Sequence, residues 1–325
     1  NMVFSARTDL AIEAAAMMGR KPDDRVEGVT VENYTNSSVS VTKVCIENEK
    51  GAETIGKPIG NYVTLECEKL RTGDEQALSE TRETLTYELG ELANLNDDSI
   101  VLVVGLGNRF VTPDALGPNV ADGVYVTRHL FSEMPDTVGD DLRSVCAIAP
   151  GVLGITGIET VEIIRGITER VKPDLVIAID ALASRSINRI STTIQLADTG
   201  ITPGSGIGNS RRGVNEETLG VKVIAIGVPT VVDAATVAND ALELMMNTVN
   251  ENIGQDTNLA KGLAFLNSDN RYALIQQVLY PYVGNLIVTP KEVDAIIEGV
   301  SKTIADSINC ALVSKSGNNP DLGGI

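Results

Sequence analysis

Histidine is almost absent from this 325-residue chain, which contains one, and tryptophan is absent altogether. Serine and cysteine hydrolases generally use an imidazole as base, and most zinc sites take one or more as ligands, so zincin, Ser-His-Asp and papain-like chemistries are excluded as first readings. The single His129 falls in Tyr125-Val-Thr-Arg-His129-Leu-Phe131, a helical pattern in which it reads as a packed or surface residue. Aromatic residues make up only 3% of the chain, so the core must be aliphatic and base-stacking platforms for single-stranded nucleic acid are not expected. Cationic charge is also scarce: 26 Lys and Arg stand against 44 Asp and Glu, a net charge of −18. Phosphate neutralisation needs a basic face, so direct nucleic-acid binding is not expected, and a basic protein partner fits better. The cysteines Cys45, Cys67, Cys146 and Cys310 form no C-x-x-C pair and read as reduced thiols of a cytosolic protein. No apolar run approaches the roughly 20 residues of a membrane span, and no signal-peptide pattern opens the chain, so a cytoplasmic protein without a membrane partner is expected.

What is abundant is aliphatic: 43% of residues are hydrophobic, enough for a large core in one elaborated domain. Alternation around Val29–Val31, Val39–Val41, Val44–Ile46 and Tyr62–Thr64 predicts an antiparallel meander over residues 28–70. A long helix is expected from Asp74 to Leu95. Beyond it, strands near 100–104, 144–149, 175–180 and 221–227 alternate with helices near 114–132, 157–171 and 233–252. That order predicts an α/β fold with a doubly wound, mostly parallel sheet flanked by helices, the meander being an insertion near the N-terminus. Ser191–Leu196 reads as an added edge strand, further helices are expected near 269–280 and 290–312, and residues 314–325 read as a loose tail.

Two of the expected strands deliver an aspartate near the carboxyl end. Ile100-Val-Leu-Val-Val104-Gly-Leu-Gly-Asn108 leads to Thr112-Pro-Asp114, and Leu175-Val-Ile-Ala-Ile179 leads to Asp180. Ligands of open α/β sheets bind beyond the strand carboxyl ends, so Asp114 and Asp180 are candidates for one cleft. Two carboxylates held close cannot both ionise easily, which yields an acid/base pair without histidine. Asp114 also reads as a helix N-cap, whereas Asp180, after five apolar residues, has no such structural role. Asp233 is better read as a cap. Gly107 and Asn108 could let the backbone approach a ligand and bind a carbonyl oxygen; a nucleotide loop at Gly105-Leu-Gly-Asn108 is disfavoured by the missing third glycine. In the Gly204–Arg212 loop, Ser205 and Arg211 could receive a peptide backbone or carboxylate.

Longer motifs carry a resemblance. Lys43-Val-Cys-Ile-Glu-Asn-Glu49, Gly56-Lys-Pro-Ile-Gly60, Thr112-Pro-Asp-Ala-Leu-Gly-Pro118, Ala178-Ile-Asp-Ala-Leu-Ala-Ser-Arg185, Gly204-Ser-Gly-Ile-Gly-Asn209, Ile226-Gly-Val-Pro-Thr-Val-Val-Asp233 and Val288-Thr-Pro-Lys-Glu-Val293 resemble the family of spore germination proteases, over nearly the whole chain. The resemblance implies an endopeptidase that degrades small acid-soluble spore proteins in the spore core. Its two essential aspartates fall on Asp114 and Asp180. It further implies a homotetramer, a fold similar to hydrogenase-maturation proteases, and a zymogen that cuts itself. The matching self-cleavage site is Arg7-Thr-Asp9-Leu10-Ala-Ile-Glu13, so residues 1–9 are read as a propeptide and 10–313 as a single peptidase domain. Hydrogenase-maturation proteases bind nickel through such acidic positions together with a histidine; no matching histidine motif occurs here, and no cofactor is expected. The remaining alternatives are a metal-dependent maturation-type protease and a non-catalytic nucleotide-binding module.

Overall fold

Val29–Asn36 (β1) and Val39–Ile46 (β2) pair antiparallel from Val29 opposite Ile46 to Asn36 opposite Val39, so the hairpin forms where the alternation placed it. The computed structural model describes residues 27–135, 141–184, 186–202, 213–253, 268–284 and 286–315. A short helix, Glu49–Ile55, interrupts the meander: the Asn48 side chain caps it by accepting from the Gly51 N–H, and Gly56 ends it in the left-handed region. Gly60–Glu66 (β3) then returns along β2.

Ile100–Gly105 (β4), Ser144–Ile148 (β5), Leu175–Ser184 (β6), Thr193–Ala197 (β7), Lys222–Asp233 (β8) and Ile287–Val288 (β9) complete the sheet. Among the described residues its order is β1-β2-β3-β7-β8-β6-β4-β5, with β9 on β8. The pairs β4–β5, β4–β6 and β6–β8 are parallel, as the alternation with helices requires. The meander does not stand apart from this sheet. Strand β7 pairs antiparallel with both β3 and β8 and fuses the two halves. The Ser191–Leu196 segment therefore lies inside the sheet, not at an edge as its sequence implied. Its five strand residues are all buried, in keeping with coverage on both faces.

Alternate residues of the parallel strands feed two cores. Val101, Val103, Leu175, Ile177, Ile179, Ile224 and Ile226 face one side, packing with Leu85 and Leu89 of helix Glu75–Ala93, Leu116 and Val120 of helix Leu116–Gly123, and Ile297, Val300 and Ile304 of helix Val293–Ile308. Leu102, Val104, Val176 and Ala178 face the other, against Val161 and Ile164 of helix Thr160–Val171. The period of two in these strands thus fixes which helices cover which face. The single helix expected near 114–132 is broken instead into a 3-10 turn, Thr112–Asp114, and two helices, Leu116–Gly123 and Arg128–Glu133. Beyond Val313, Ser314 pairs with Leu142 and the Lys315 N–H donates to the Asp141 carbonyl at 2.8 Å.

Candidate active site

The spatial order β5-β4-β6-β8 has the first parallel strand, β4, flanked by the second and third. The chain moves to one side of β4 to make β5 and then to the other to make β6. The topological switch point, where open α/β sheets open a crevice, therefore lies between the carboxyl ends of β4 and β6. Asp114 follows β4 and Asp180 is in β6. The strand order makes β4 and β6 neighbours, so Asp114 lies on the turn that follows one flanking strand and Asp180 within the other, which runs on to Ser184 instead of ending at the aspartate as the sequence implied.

Asp180 is only 6% exposed, and its Oδ1 accepts from the Ala181 N–H at 3.0 Å. It sits opposite Gly227 of β8. Asp114 closes the 3-10 turn, its N–H donating to the Val111 carbonyl at 2.8 Å. The N-cap role available to it in the sequence is not taken: the next helix starts from Ala115 without a side-chain cap, and Asp114 Oδ2 instead accepts from the Asn108 N–H at 2.8 Å. Asp233, by contrast, does cap its helix, accepting from the Ala235 N–H at 2.6 Å.

Two glycines make this approach possible. Gly107 has φ +109°, and a Cβ there would collide with the Asp114 carbonyl oxygen and come within 3.0 Å of Asp114 Oδ1. Gly117, three residues beyond Asp114, sits so close to the parallel strands that a Cβ would collide with the Leu106 carbonyl oxygen and lie 2.6 Å from that of Ile179. Ile179 immediately precedes Asp180. The helix after Asp114 is thus seated on the strand just before Asp180.

Beside Gly107 lies a cleft of about 200 Å³ lined by Gly107, Asn108, Phe110, Pro118, Pro150 and Ile155 among others. Its surroundings are apolar and open: Phe110 is 79% exposed, and Val111, Ile155 and Ile158 are also exposed. The Asn108 side chain accepts from the Phe110 N–H at 3.0 Å, which ties the rim to the turn that carries Asp114. His129 is exposed on Arg128–Glu133. Among the described residues no group of three or more His, Cys, Asp or Glu is placed to hold a metal ion. Ser205, Arg211, Asp9 and Leu10 lie outside the described residues.

The features missed from sequence are Thr230 and Thr289. The Thr230 hydroxyl donates to the Pro113 carbonyl at 2.7 Å and the Thr289 hydroxyl to the Thr230 carbonyl at 2.9 Å. The motifs Ile226–Asp233 and Val288–Val293 marked both segments, but not their partners.

The fold defines the class: a doubly wound α/β protein with Asp114 after β4, Asp180 within β6 and a cleft beside Gly107 that neither aspartate lines. Comparison with known proteins identifies which. The family model for Germination protease, Peptidase_A25, matches residues 6–266 and 261–321, and the chain belongs to that family. It is 49% identical over 311 residues to the germination protease of Caldanaerobacter subterraneus subsp. tengcongensis, covering 96% of this chain and 95% of that protein. It is 42% identical over 345 residues to that of Bacillus cereus, covering 95% and 94%. Among solved structures, the [NiFe] hydrogenase maturation protease HycI from Thermococcus kodakarensis KOD1 matches at 22% identity and a TM-score of 0.27, covering 41% of this chain and 74% of that one. So low a TM-score adds nothing to the fold read from the strand order. The chain is therefore a protease of spore germination, acting on protein substrates, and among the described residues no helix is long and apolar enough to cross a membrane.

Proposed function

We propose that this protease is an endopeptidase that opens the degradation of small acid-soluble spore proteins, using Asp114 and Asp180 to activate one water for attack on the peptide carbonyl. The observation that carries the reading is the placement of the two aspartates after β4 and within β6, on either side of the switch point. One carboxylate takes the water proton as the oxygen attacks; the other, protonated, gives its proton to the leaving amide nitrogen. The pair titrates as a unit, so acid and base are properties of the dyad. The Asn108 N–H is engaged by Asp114, so the developing oxyanion is assigned to the Asn108 side-chain amide and the Gly107 N–H. Ser205 and Arg211 are assigned to the substrate backbone and its acidic side chains.

The open apolar rim of Phe110, Val111 and Ile155 suits an extended chain more than a folded one. A substrate ordered on DNA is then protected, and a free one is cut. Residues 1–9 act as a propeptide that the enzyme removes by cleaving between Asp9 and Leu10, within the spore compartment where its substrates lie, and the active assembly is a homotetramer.

The test is incubation with an unstructured small acid-soluble spore protein, fragments being read by mass spectrometry. The expected result is cleavage after acidic residues that persists in chelator and falls by at least about 10²-fold in Asp114→Asn and in Asp180→Asn. Retained cleavage in either variant overturns the dyad; chelator-sensitive cleavage moves the reading to a metal-dependent protease.

A further inference from the structure

Strands β6 and β8 pair in register from Leu175 opposite Lys222 as far as Leu182 opposite Pro229, and then resume with Ala183 opposite Val231. Thr230 is the residue skipped. It is the extra residue of a β-bulge, a device that disrupts the ladder locally and re-aims a side chain. Here the re-aimed group is the Thr230 hydroxyl, 1% exposed as a residue, which donates to the carbonyl of Pro113, the residue before Asp114. The carbonyl of Thr230 needs a partner as well. Thr289, just after β9, supplies it through its hydroxyl at 2.9 Å. Strand β9 is itself held on β8 by Val288 opposite Val232.

We propose that Thr230 and Thr289 are positioning residues: a two-threonine brace that fixes the Asp114 turn against β8, the strand hydrogen-bonded to the one that carries Asp180. The inference rests on the dyad reading above. Its physical content is that Asp114 sits on a turn, the less rigid kind of support, whereas Asp180 sits in a buried strand. A bond from a buried strand to the carbonyl one residue away removes that freedom. The brace also gives a role to the Ile226–Asp233 and Val288–Val293 motifs, which the aspartates alone leave unused.

Two measurements on the full chain test it. The first needs no catalysis: hydrogen exchange of peptides covering residues 105–116 should quicken about tenfold in Thr230→Val and stay at the wild-type rate in Thr230→Ser, which keeps the hydroxyl. The second is the cleavage rate of the unstructured substrate. Thr230→Val should lower kcat about 10- to 100-fold with KM within about twofold, because the substrate cleft is untouched and only the reacting geometry moves. Thr289→Val should shift both readouts in the same direction, and the double variant should be no worse than Thr230→Val alone, since the two hydroxyls act in series. A general packing role would instead lower the melting temperature additively and spare kcat. Unchanged exchange in Thr230→Val overturns the brace whatever the aspartate variants do, as does a serine variant as impaired as the valine one. If Asp114→Asn retains cleavage while Thr230→Val still loosens the turn, the dyad falls and the brace stands as a structural tie only.

Discussion

The backbone N–H of Asn108 donates to Oδ2 of Asp114 across 2.8 Å, closing the loop after β4 onto the 3-10 turn that follows it. Gly107 sits inside that closure with φ +109°. Gly107→Ala would place a methyl against the Asp114 carbonyl oxygen in a backbone region that L residues avoid. Strain of this kind costs about 1–3 kcal/mol and displaces the carboxylate. The expected outcome is a fall in kcat of about 10²-fold with a smaller loss in thermal stability. Kinetics and melting on the same preparation check it, and unaltered kcat would detach this loop from the chemistry.

Gly117→Ala weighs two opposing effects. Alanine in a helix is favoured over glycine by about 1 kcal/mol. The added Cβ, however, would collide with the Leu106 carbonyl oxygen and lie 2.6 Å from that of Ile179, and these are backbone atoms of buried strands that cannot yield cheaply. Overpacking at about 1–3 kcal/mol outweighs propensity. Urea denaturation should show net destabilisation; a stabilised variant would mean that the helix can lift from the sheet.

Glu88, 1% exposed on helix Glu75–Ala93, accepts from the Tyr34 hydroxyl at 2.5 Å and pairs with Lys43 at 2.8 Å. These contacts pin β1 and β2 of the meander onto the helix. Glu88 is buried but Lys43 is 32% exposed and keeps access to water, so removing the carboxylate costs about 1–3 kcal/mol, whereas replacing both by apolar groups is close to neutral. Glu88→Ala should therefore lower the urea midpoint strongly, and Glu88→Leu with Lys43→Met should recover most of it. Equal losses in both variants would show that packing rather than charge holds the meander down.

Burial pushes the Tyr62 phenol up to about 12, and burial together with its bond to Glu88 raises Tyr34 above the ordinary tyrosine range. An unfolded tyrosine ionises near pH 10. Both folded values are raised, so the stability these groups contribute is fully present below about pH 10 and is lost as pH rises through the folded values. Stability measured from pH 9 to 12 should fall, with a shallower slope in Tyr62→Phe. An identical slope in that variant would show that Tyr62 ionises as freely folded as unfolded.

His129 is exposed on helix Arg128–Glu133 and is not among the residues that line the cleft. His129→Gln should cleave at the wild-type rate within about twofold, surface substitutions of this kind being nearly neutral. A loss of 10²-fold would bring imidazole chemistry back.

Much of this molecule follows from sequence alone. The Leu175–Ile179 run had to be a buried strand because five successive aliphatic residues have no solvent face, and Asp180 after it was marked because a carboxylate in that position has to be compensated. The alternation of strands and helices determined the parallel half of the sheet through short-range pattern and the handedness of crossovers. Other features depend on which distant segments pair, and no local pattern encodes that. Residues 191–196 read as an edge and lie inside the sheet, because β3, more than a hundred residues earlier, closes against them. Asp114 offered itself as a helix cap until the fold carried its carboxylate to the Asn108 amide. Thr230 lay beyond the strand expected near 221–227; only the pairing of β6 with the longer β8 makes it the residue skipped in the register, and only the returning turn puts Pro113 within reach of its hydroxyl. The sequence determined which residues are costly to bury, and the tertiary structure decided which partners meet them, since burial is set by a residue and its neighbours while pairing is set by the whole chain.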